Sequence, residues 1–312
     1  MDNPGAYARL ELAALAEKMG RAEETLRLAE DILQTTPERG AEKIRLRALG
    51  LKGSALRHLA RYAEAEKALR SALDYASENF GEAREETSAA RNLLGILYKY
   101  TGEFDKAEPL YRTALKHVIA QGGEETSLAA TLYHNLGGLA HARGDFAAGE
   151  ADARKAWEIN RRLLGEDHPT TLADAAAYAG VLDGLGRYEE SEPIYRRALE
   201  AFEKIYGPEH YEIVVNLNNL AGVRFARGDA REAEELFRRA LAIKEKTLGV
   251  NHPDTALTAN NLGVLLHSLG RDAEARMLFA RALDVFEARL DGGHPHVKMA
   301  RNNLAASTPS TE

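Results

Sequence analysis

The chain has 312 residues, 45% hydrophobic and 29% charged, an ordinary soluble balance with enough apolar material for a core. Its net charge of −7 disfavours a phosphate backbone as main partner, since that requires a basic surface; only a local basic groove stays compatible. It has no cysteine, which excludes disulfides and thiolate metal sites and fits a reducing cytoplasm, and neither a signal peptide nor an apolar run of the ~18 residues needed for a membrane span is found.

In chain order, residues 5–34 read as a helix pair turning at Gly20 and closed by Thr35-Thr36-Pro37. A second pair turns at Ala60, with small Gly53 in its first helix and RYAEAEKALRSAL in its second. Five more pairs follow in register, with turn glycines Gly102, Gly144, Gly186, Gly228 and Gly270, each 42 residues after the last. Glycine there suits a left-handed C-terminal helix cap.

Within each regular unit the first helix carries a large residue eight positions before the turn: Leu94, Leu136, Tyr178, Leu220 and Leu262. One position later it carries a small one: Gly95, Gly137, Ala179, Ala221 and Gly263. The small residue admits a neighbouring helix and the large one fills the space beside it. The second helix repeats an aromatic followed by Ala-Leu, as in Phe237/Ala240/Leu241 and Phe279/Ala282/Leu283, which is one helical face. Breakers with His168, His210, His252 and His294 separate the units, again at steps of 42, and this repetition points to a loop or capping role. The last breaker opens a lone helix at 295–306, in which Asn303-Leu304-Ala305 matches Asn261-Leu262-Gly263. It is expected to cap the core, with a polar disordered tail at 307–312.

A fixed period of this length means a helical solenoid, because one helix pair cannot bury its apolar face alone. The Leu-Gly pair, the turn glycine and the alanines flanking an aromatic (Ala233 and Ala240 around Phe237) resemble the tetratricopeptide repeat. The longer unit, with its LGxxHP loops and NNLA/G helices, is similar to the kinesin light chain type, although no long heptad segment precedes the repeats. The resemblance implies an all-α, right-handed superhelical solenoid of about seven helix pairs plus a C-terminal capping helix, in one domain over 1–306. It also implies a concave groove, lined by first helices, that binds a peptide or protein segment.

The candidate contact residues form an asparagine ladder. Asn135, Asn219, Asn261 and Asn303 stand nine positions before a turn, and Asn92, Asn218, Asn260 and Asn302 ten before. Lying off the Leu/Gly stripe, they are expected to face outward. An amide both donates and accepts, which suits it to another chain's backbone. In tetratricopeptide groove binders the Asn before Leu-Gly contacts ligand backbone, a role the resemblance carries to Asn135, Asn219 and Asn261. The alternative is that these amides cap or cross-brace neighbouring helices. The ladder lapses at Ala176-Ala177. Further along the same face come Lys99, Tyr100, His141, Asp183, Phe225 and His267, a mixed set able to select side chains or to form a solvated face. His134 joins the groove set; with His141 two turns along the same helix it lacks the convergence of a metal site.

Arg224 stands where neighbouring units have Leu182 and Leu266, either packed along its stem or projecting charge near the groove. Pro109 and Pro193 fall inside second helices, where proline removes a backbone bond. No phosphate loop, nucleophile elbow, HExxH or cysteine nucleophile occurs, so an enzyme is not expected, and neither cofactor nor metal is called for. The expected function is a cytoplasmic protein-interaction scaffold with a protein or peptide partner and no nucleic acid or membrane. Alternatives are an assembly protein using the solenoid ends or convex face, and a peptide-responsive regulator.

Overall fold

A computed structural model of the chain describes residues 4–307, and every regular element among them is helical. The α-helices are α1 (Pro4–Lys18), α2 (Ala22–Thr35), α3 (Glu42–His58), α4 (Tyr62–Phe80), α5 (Glu85–Tyr100), α6 (Phe104–Ala120), α7 (Ser127–Arg143) and α8 (Phe146–Leu164). They continue as α9 (Pro169–Gly184), α10 (Tyr188–Tyr206), α11 (Val214–Ala226), α12 (Ala230–Leu248), α13 (Pro253–Ser268), α14 (Asp272–Arg289) and α15 (Pro295–Ala306). That is seven pairs and one closing helix, as the period implies. The chain falls into two compact units, Met1–Leu139 and Ala140–Glu312. The tail expected to be disordered lies outside the described residues from position 308. Ser307 is buried, and its hydroxyl donates to the Leu304 carbonyl at 2.9 Å.

The core follows the repeated pattern. In the first unit Tyr111 is fully buried among Leu94, Leu97, Ala107, Ala114 and Leu136. In the second, Phe279 is buried with Leu262, Leu265, Leu266 and Phe237. Each such ring contributes about 1.5–3 kcal/mol by leaving water. Gly95 and Gly263 make the packing possible: a Cβ on Gly95 would meet Tyr111 at 2.5 Å, and one on Gly263 would meet Phe279 at 2.7 Å. The closing helix α15 buries Val297 and Ala300 against Ala282 and Phe286, so the last pair has a partner for its apolar face.

Every intra-pair turn uses one chemistry. The residue after the turn position donates its backbone N–H five residues back, as in Asp229 N to Arg224 O (2.9 Å) and Arg271 N to Leu266 O (2.9 Å). This is the Schellman closure, and it requires a left-handed residue just past the helix. Gly228 has φ 87° and Gly270 has φ 74°. Ala60 makes the same turn at φ 56°, with Arg61 N to Leu56 O at 2.8 Å. Three of the four breaker histidines are helix caps: Nδ1 accepts from Thr170 N (3.2 Å) for His168, from Asp254 N (3.1 Å) for His252 and from His296 N (3.0 Å) for His294. His210 is followed by Tyr211 instead of proline; a short 3-10 turn at Tyr211–Ile213 precedes α11, and the His210 ring stacks on Tyr206.

Arg224 turns away from the groove. Its guanidinium pairs with Glu192 (3.1 Å), Asp229 (2.5 Å) and Glu232 (2.6 Å), and Arg227 also reaches Glu192 (2.8 Å). Burial pushes Glu192 up, but the hydrogen bond from Arg196 and the charges of Arg196, Arg224 and Arg227 outweigh it and hold the carboxyl below its usual range. Pro109 and Pro193 both sit within helices, α6 and α10, on exposed faces.

The turn chemistry gives a signed test. A left-handed non-glycine residue costs roughly 1–2 kcal/mol, partly offset by the greater unfolded-state freedom of glycine, roughly 0.4–1 kcal/mol. Ala60→Gly should therefore stabilise the chain by up to about 1 kcal/mol in urea titration, whereas Gly228→Ala should destabilise it by about 1 kcal/mol. A destabilising Ala60→Gly would contradict the left-handed assignment at that turn.

Candidate functional site

The asparagine ladder resolves into two arrangements, set by neighbouring first helices. Positions nine and ten before the turn lie where one first helix meets the next. Asn135 Nδ2 donates to Asn92 Oδ1 at 2.7 Å, and both side chains are buried. Asn303 Nδ2 donates to Asn260 Oδ1 at 3.0 Å, and Asn260 Nδ2 points at the Met299 sulfur at 3.7 Å. Both pairs are 43 residues apart, so each nine-before amide clasps the ten-before amide of the preceding unit. Asn92, Asn135 and Asn260 thus do not face outward as expected from the stripe; the inter-helix seam encloses them. Asn302 is exposed and Asn303 half-buried.

The same register pairs Asn261 with Asn218, but there the clasp is open. Asn218 Nδ2 turns back to the Val214 carbonyl at 2.9 Å, and its Oδ1 is enclosed without a hydrogen-bond partner. Asn219 faces Ala176 in this register and has no amide to clasp. Among the described residues, Asn219 and Asn261 form no side-chain hydrogen bond, and both are half-buried.

These three amides line one groove of about 400 Å³ in the second unit. Its walls come from α9 (Gly180, Asp183, Gly184), α11 (Asn218, Asn219, Gly222, Phe225) and α13 (Asn261, Val264), with His141 at one margin. Phe146, Tyr188 and Phe237 add rings from second helices. The size is that of a ligand cleft. Gly180 and Gly222 leave space in it: a Cβ at Gly222 would meet nothing within 4 Å, and one at Gly180 would only touch the Tyr195 hydroxyl (3.4 Å) and His141 Nε2 (3.6 Å). The His141 ring is exposed and sits edge-on to Phe146, with centroids 5.3 Å apart.

Asp183 lies in this groove, half-buried. Its Oδ2 accepts from the Tyr195 hydroxyl at 2.8 Å, and its Oδ1 accepts from the Ser191 hydroxyl. Burial raises it to about 6, and these two hydrogen bonds pull only partly the other way. Sequence reading placed Asp183 on this face but missed Gly180 and Gly222. Their signal was present: Gly138, Gly180 and Gly222 recur at 42, six positions before successive turns.

The remaining candidates lie apart from this groove. In the first unit, Lys99 runs over Gly138, where a Cβ would be 3.1 Å from Nζ. Burial and the nearby Arg57 charge depress Lys99 to about 8. Tyr100 lies under the Arg57 guanidinium, 4.9 Å from the ring centroid. His134 is half-buried on α7 beside Asn135. In the second unit, His267 Nδ1 pairs with Asp272 Oδ1 at 2.6 Å at its own turn. No group of three metal-ligating side chains occurs among the described residues, and none of their helices is long and apolar enough to cross a membrane.

A family model described as "Tetratricopeptide repeat" matches residues 44–118, 128–204, 171–246, 212–288 and 254–307, and a second of the same description matches 92–160. Comparison with curated proteins yields no match. Among solved structures, a Rap protein complexed with competence and sporulation factor superposes with TM-score 0.68 at 15% identity, over 98% of this chain and 88% of that one. NprR in complex with its cognate peptide NprX gives TM-score 0.66 at 13% identity, over 98% and 84%. The repeats of a Podosopora anserina putative kinesin light chain give TM-score 0.48 at 21% identity, over 64% and 93%.

The two amide arrangements should separate by stability. Asn135→Ala leaves the buried Asn92 oxygen without its donor and should cost about 1–3 kcal/mol. Asn219→Ala removes no hydrogen bond and should change stability by less than about 0.5 kcal/mol. Denaturant titration of both variants checks this; equal losses would mean that Asn219 is also a brace.

Proposed function

Because the chain belongs to the tetratricopeptide repeat family, we propose that it is a non-enzymatic protein-interaction scaffold whose second unit binds an extended peptide segment. The observation that carries this reading is the open clasp. Asn218 Oδ1 has no partner, and Asn219 and Asn261 form no side-chain hydrogen bond among the described residues, while all three line one groove. The enclosed Asn218 oxygen is costly without a partner, and the half-buried amides of Asn219 and Asn261 both donate and accept, as a peptide backbone requires. Packed helices lie roughly 8–10 Å apart, and an extended peptide advances about 3.3 Å per residue. Amides on α11 and α13 therefore meet a peptide at about every third residue. Phe146, Tyr188 and Phe225 supply flat apolar walls for its side chains. Lys99, Tyr100, His134 and His267 lie outside this groove, so the proposed contacts narrow to Asn218, Asn219, Asn261, Phe225 and His141. The peptide named with the NprR structure is compatible with this use of the fold. The proposal includes a cytoplasmic location, with which a chain free of cysteine is compatible.

A second reading has its own observation. Leu12 and Leu15 of α1 and Met19 just past its end are 55%, 53% and 53% exposed, an apolar strip available for association. Light scattering across a concentration series tests it: a mass that rises with concentration and reverts in Leu12→Ser/Leu15→Ser would favour assembly.

The groove reading predicts that Asn219→Ala/Asn261→Ala weakens peptide retention by about tenfold, roughly 1.4 kcal/mol for two lost hydrogen bonds, with unchanged helical circular dichroism. Peptides captured by the wild type from a random heptapeptide pool provide the measurement. Equal retention by the variant would remove the groove from the interface.

A further inference from the structure

We infer that the groove of the second unit recognises a cation on its peptide, a lysine or arginine side chain or a free N-terminal amine, and that Asp183 is the residue that holds it. The inference rests on the groove reading above and adds the chemical class of the ligand.

Asp183 is the one carboxylate among the residues lining the groove, and no lysine or arginine lines it. The nearby arginines are committed elsewhere: Arg187 to Glu150 (2.7 Å) and Glu190 (2.6 Å), and Arg224 and Arg227 to Glu192. The only partners of Asp183 among the described residues are two neutral hydroxyls, Ser191 and Tyr195. A half-buried carboxylate without a counter-ion is poorly solvated, as its elevated titration near 6 reflects. The hydroxyls brace α9 against α10, which accounts for one acceptor site on each oxygen. Each carboxylate oxygen has a second, and the groove is where a donor reaches it. A cation there would also stand near the rings of Phe146 and Tyr188, which favour positive charge over their faces.

The repeat register supports selectivity over packing. Core positions repeat their residue type from unit to unit, but three positions before the turn the chain reads Lys99, His141, Asp183, Phe225 and His267. The Tyr195 and Ser191 hydroxyls give the acid a bracing role in its own unit, while the repeat as such takes Lys, His or Phe at the same position.

The test uses the full chain and two random heptapeptide pools, one with free N-termini and one N-acetylated. Bound peptides are sequenced from wild type, Asp183→Asn and Asn219→Ala/Asn261→Ala. The expected result is enrichment of basic peptides by about tenfold on wild type, falling to background on Asp183→Asn while neutral peptides are still retained. If the preference survives acetylation, the cation is a side chain; if only free-amine peptides depend on Asp183, it is the N-terminus. Retention without basic or amine preference, or the same preference in Asp183→Asn, overturns the inference and leaves the groove reading intact. Retention indifferent to Asn219→Ala/Asn261→Ala overturns both.

A wild-type pH series covers the case in which Asp183→Asn does not fold. Burial holds the Tyr195 hydroxyl well above its usual range, so it stays neutral here, and the Asp183 carboxyl and the His141 imidazole are the acid and base that line the groove. Protonating either disfavours a cation, so preference for basic peptides should fall several-fold from pH 7.5 to pH 5 in wild type and in His141→Gln. A flat profile in His141→Gln overturns the inference.

Discussion

The structure depends on one close contact, a side chain of the second helix laid against a residue of the first that has almost no side chain. Tyr111 occupies the space a Cβ would take on Gly95, Phe279 that on Gly263, and Leu69 that on Gly53. Such an approach fixes rotation and depth together, because a large residue and a small one must meet at one height. Related large-small contacts return in register, Tyr195 with Ala179 and Phe237 with Ala221, so these pairs present similar faces to their neighbours. A single pair would leave its outer apolar face in water, so successive pairs must stack. The clusters around Tyr111, Tyr195, Phe237 and Phe279 are steps of this construction.

Fixing those faces also decides what the other positions do. Nine and ten residues before the turn, the chain lies in the seam between first helices, where an amide meets an amide from the next unit. Two asparagines across the seam close on each other, as Asn92 with Asn135 and Asn260 with Asn303. Such a clasp satisfies buried polar groups and fixes spacing, but it leaves little for a ligand. Between α11 and α13 the same two positions hold Asn218 and Asn261, yet Asn218 bonds its own helix at Val214. Two glycines, Gly180 and Gly222, hollow the adjoining face. The groove therefore lies where the clasp formed by Asn92/Asn135 and by Asn260/Asn303 is not made.

Most of the fold was legible because its determinants repeat. Turn glycines at 42, the large-small pair and the Ala-flanked aromatic gave seven pairs and a closing helix, and repetition pointed the breaker histidines to a loop or capping role, which three of the four fill as caps. The site was less legible, for a physical reason. Whether an asparagine faces solvent or a second asparagine depends on what stands 43 residues away across a seam, and helical periodicity within one element does not report that. Pairing the nine-before and ten-before positions would have shown Asn92/Asn135 and Asn260/Asn303 as partners. It would also have shown Asn218/Asn261 as one, because the turn of Asn218 toward Val214 is a choice of rotamer. Arg224 was undecided for a related reason: its acids, Glu192 and Glu232, come from two other helices.

The distribution of polar capacity separates the groove from the charged surface of the second unit. There, the second helices carry ion pairs that run from repeat to repeat: Arg187 to Glu150, Arg196 to Glu232, Arg238 to Glu274 and Arg271 to Glu234. Each exposed pair contributes little stability. Together they leave those charges occupied, so a partner docking on them would have to displace one ion pair to form another. The groove has the opposite condition. It holds amides with open hydrogen-bonding capacity, a carboxylate without a counter-ion and aromatic walls, so a ligand there displaces water and breaks no ion pair. A partner forming hydrogen bonds with this unit would therefore gain more from the groove than from the paired charges, and this difference in polar satisfaction, more than the groove's volume, is the physical basis of the proposed groove interface.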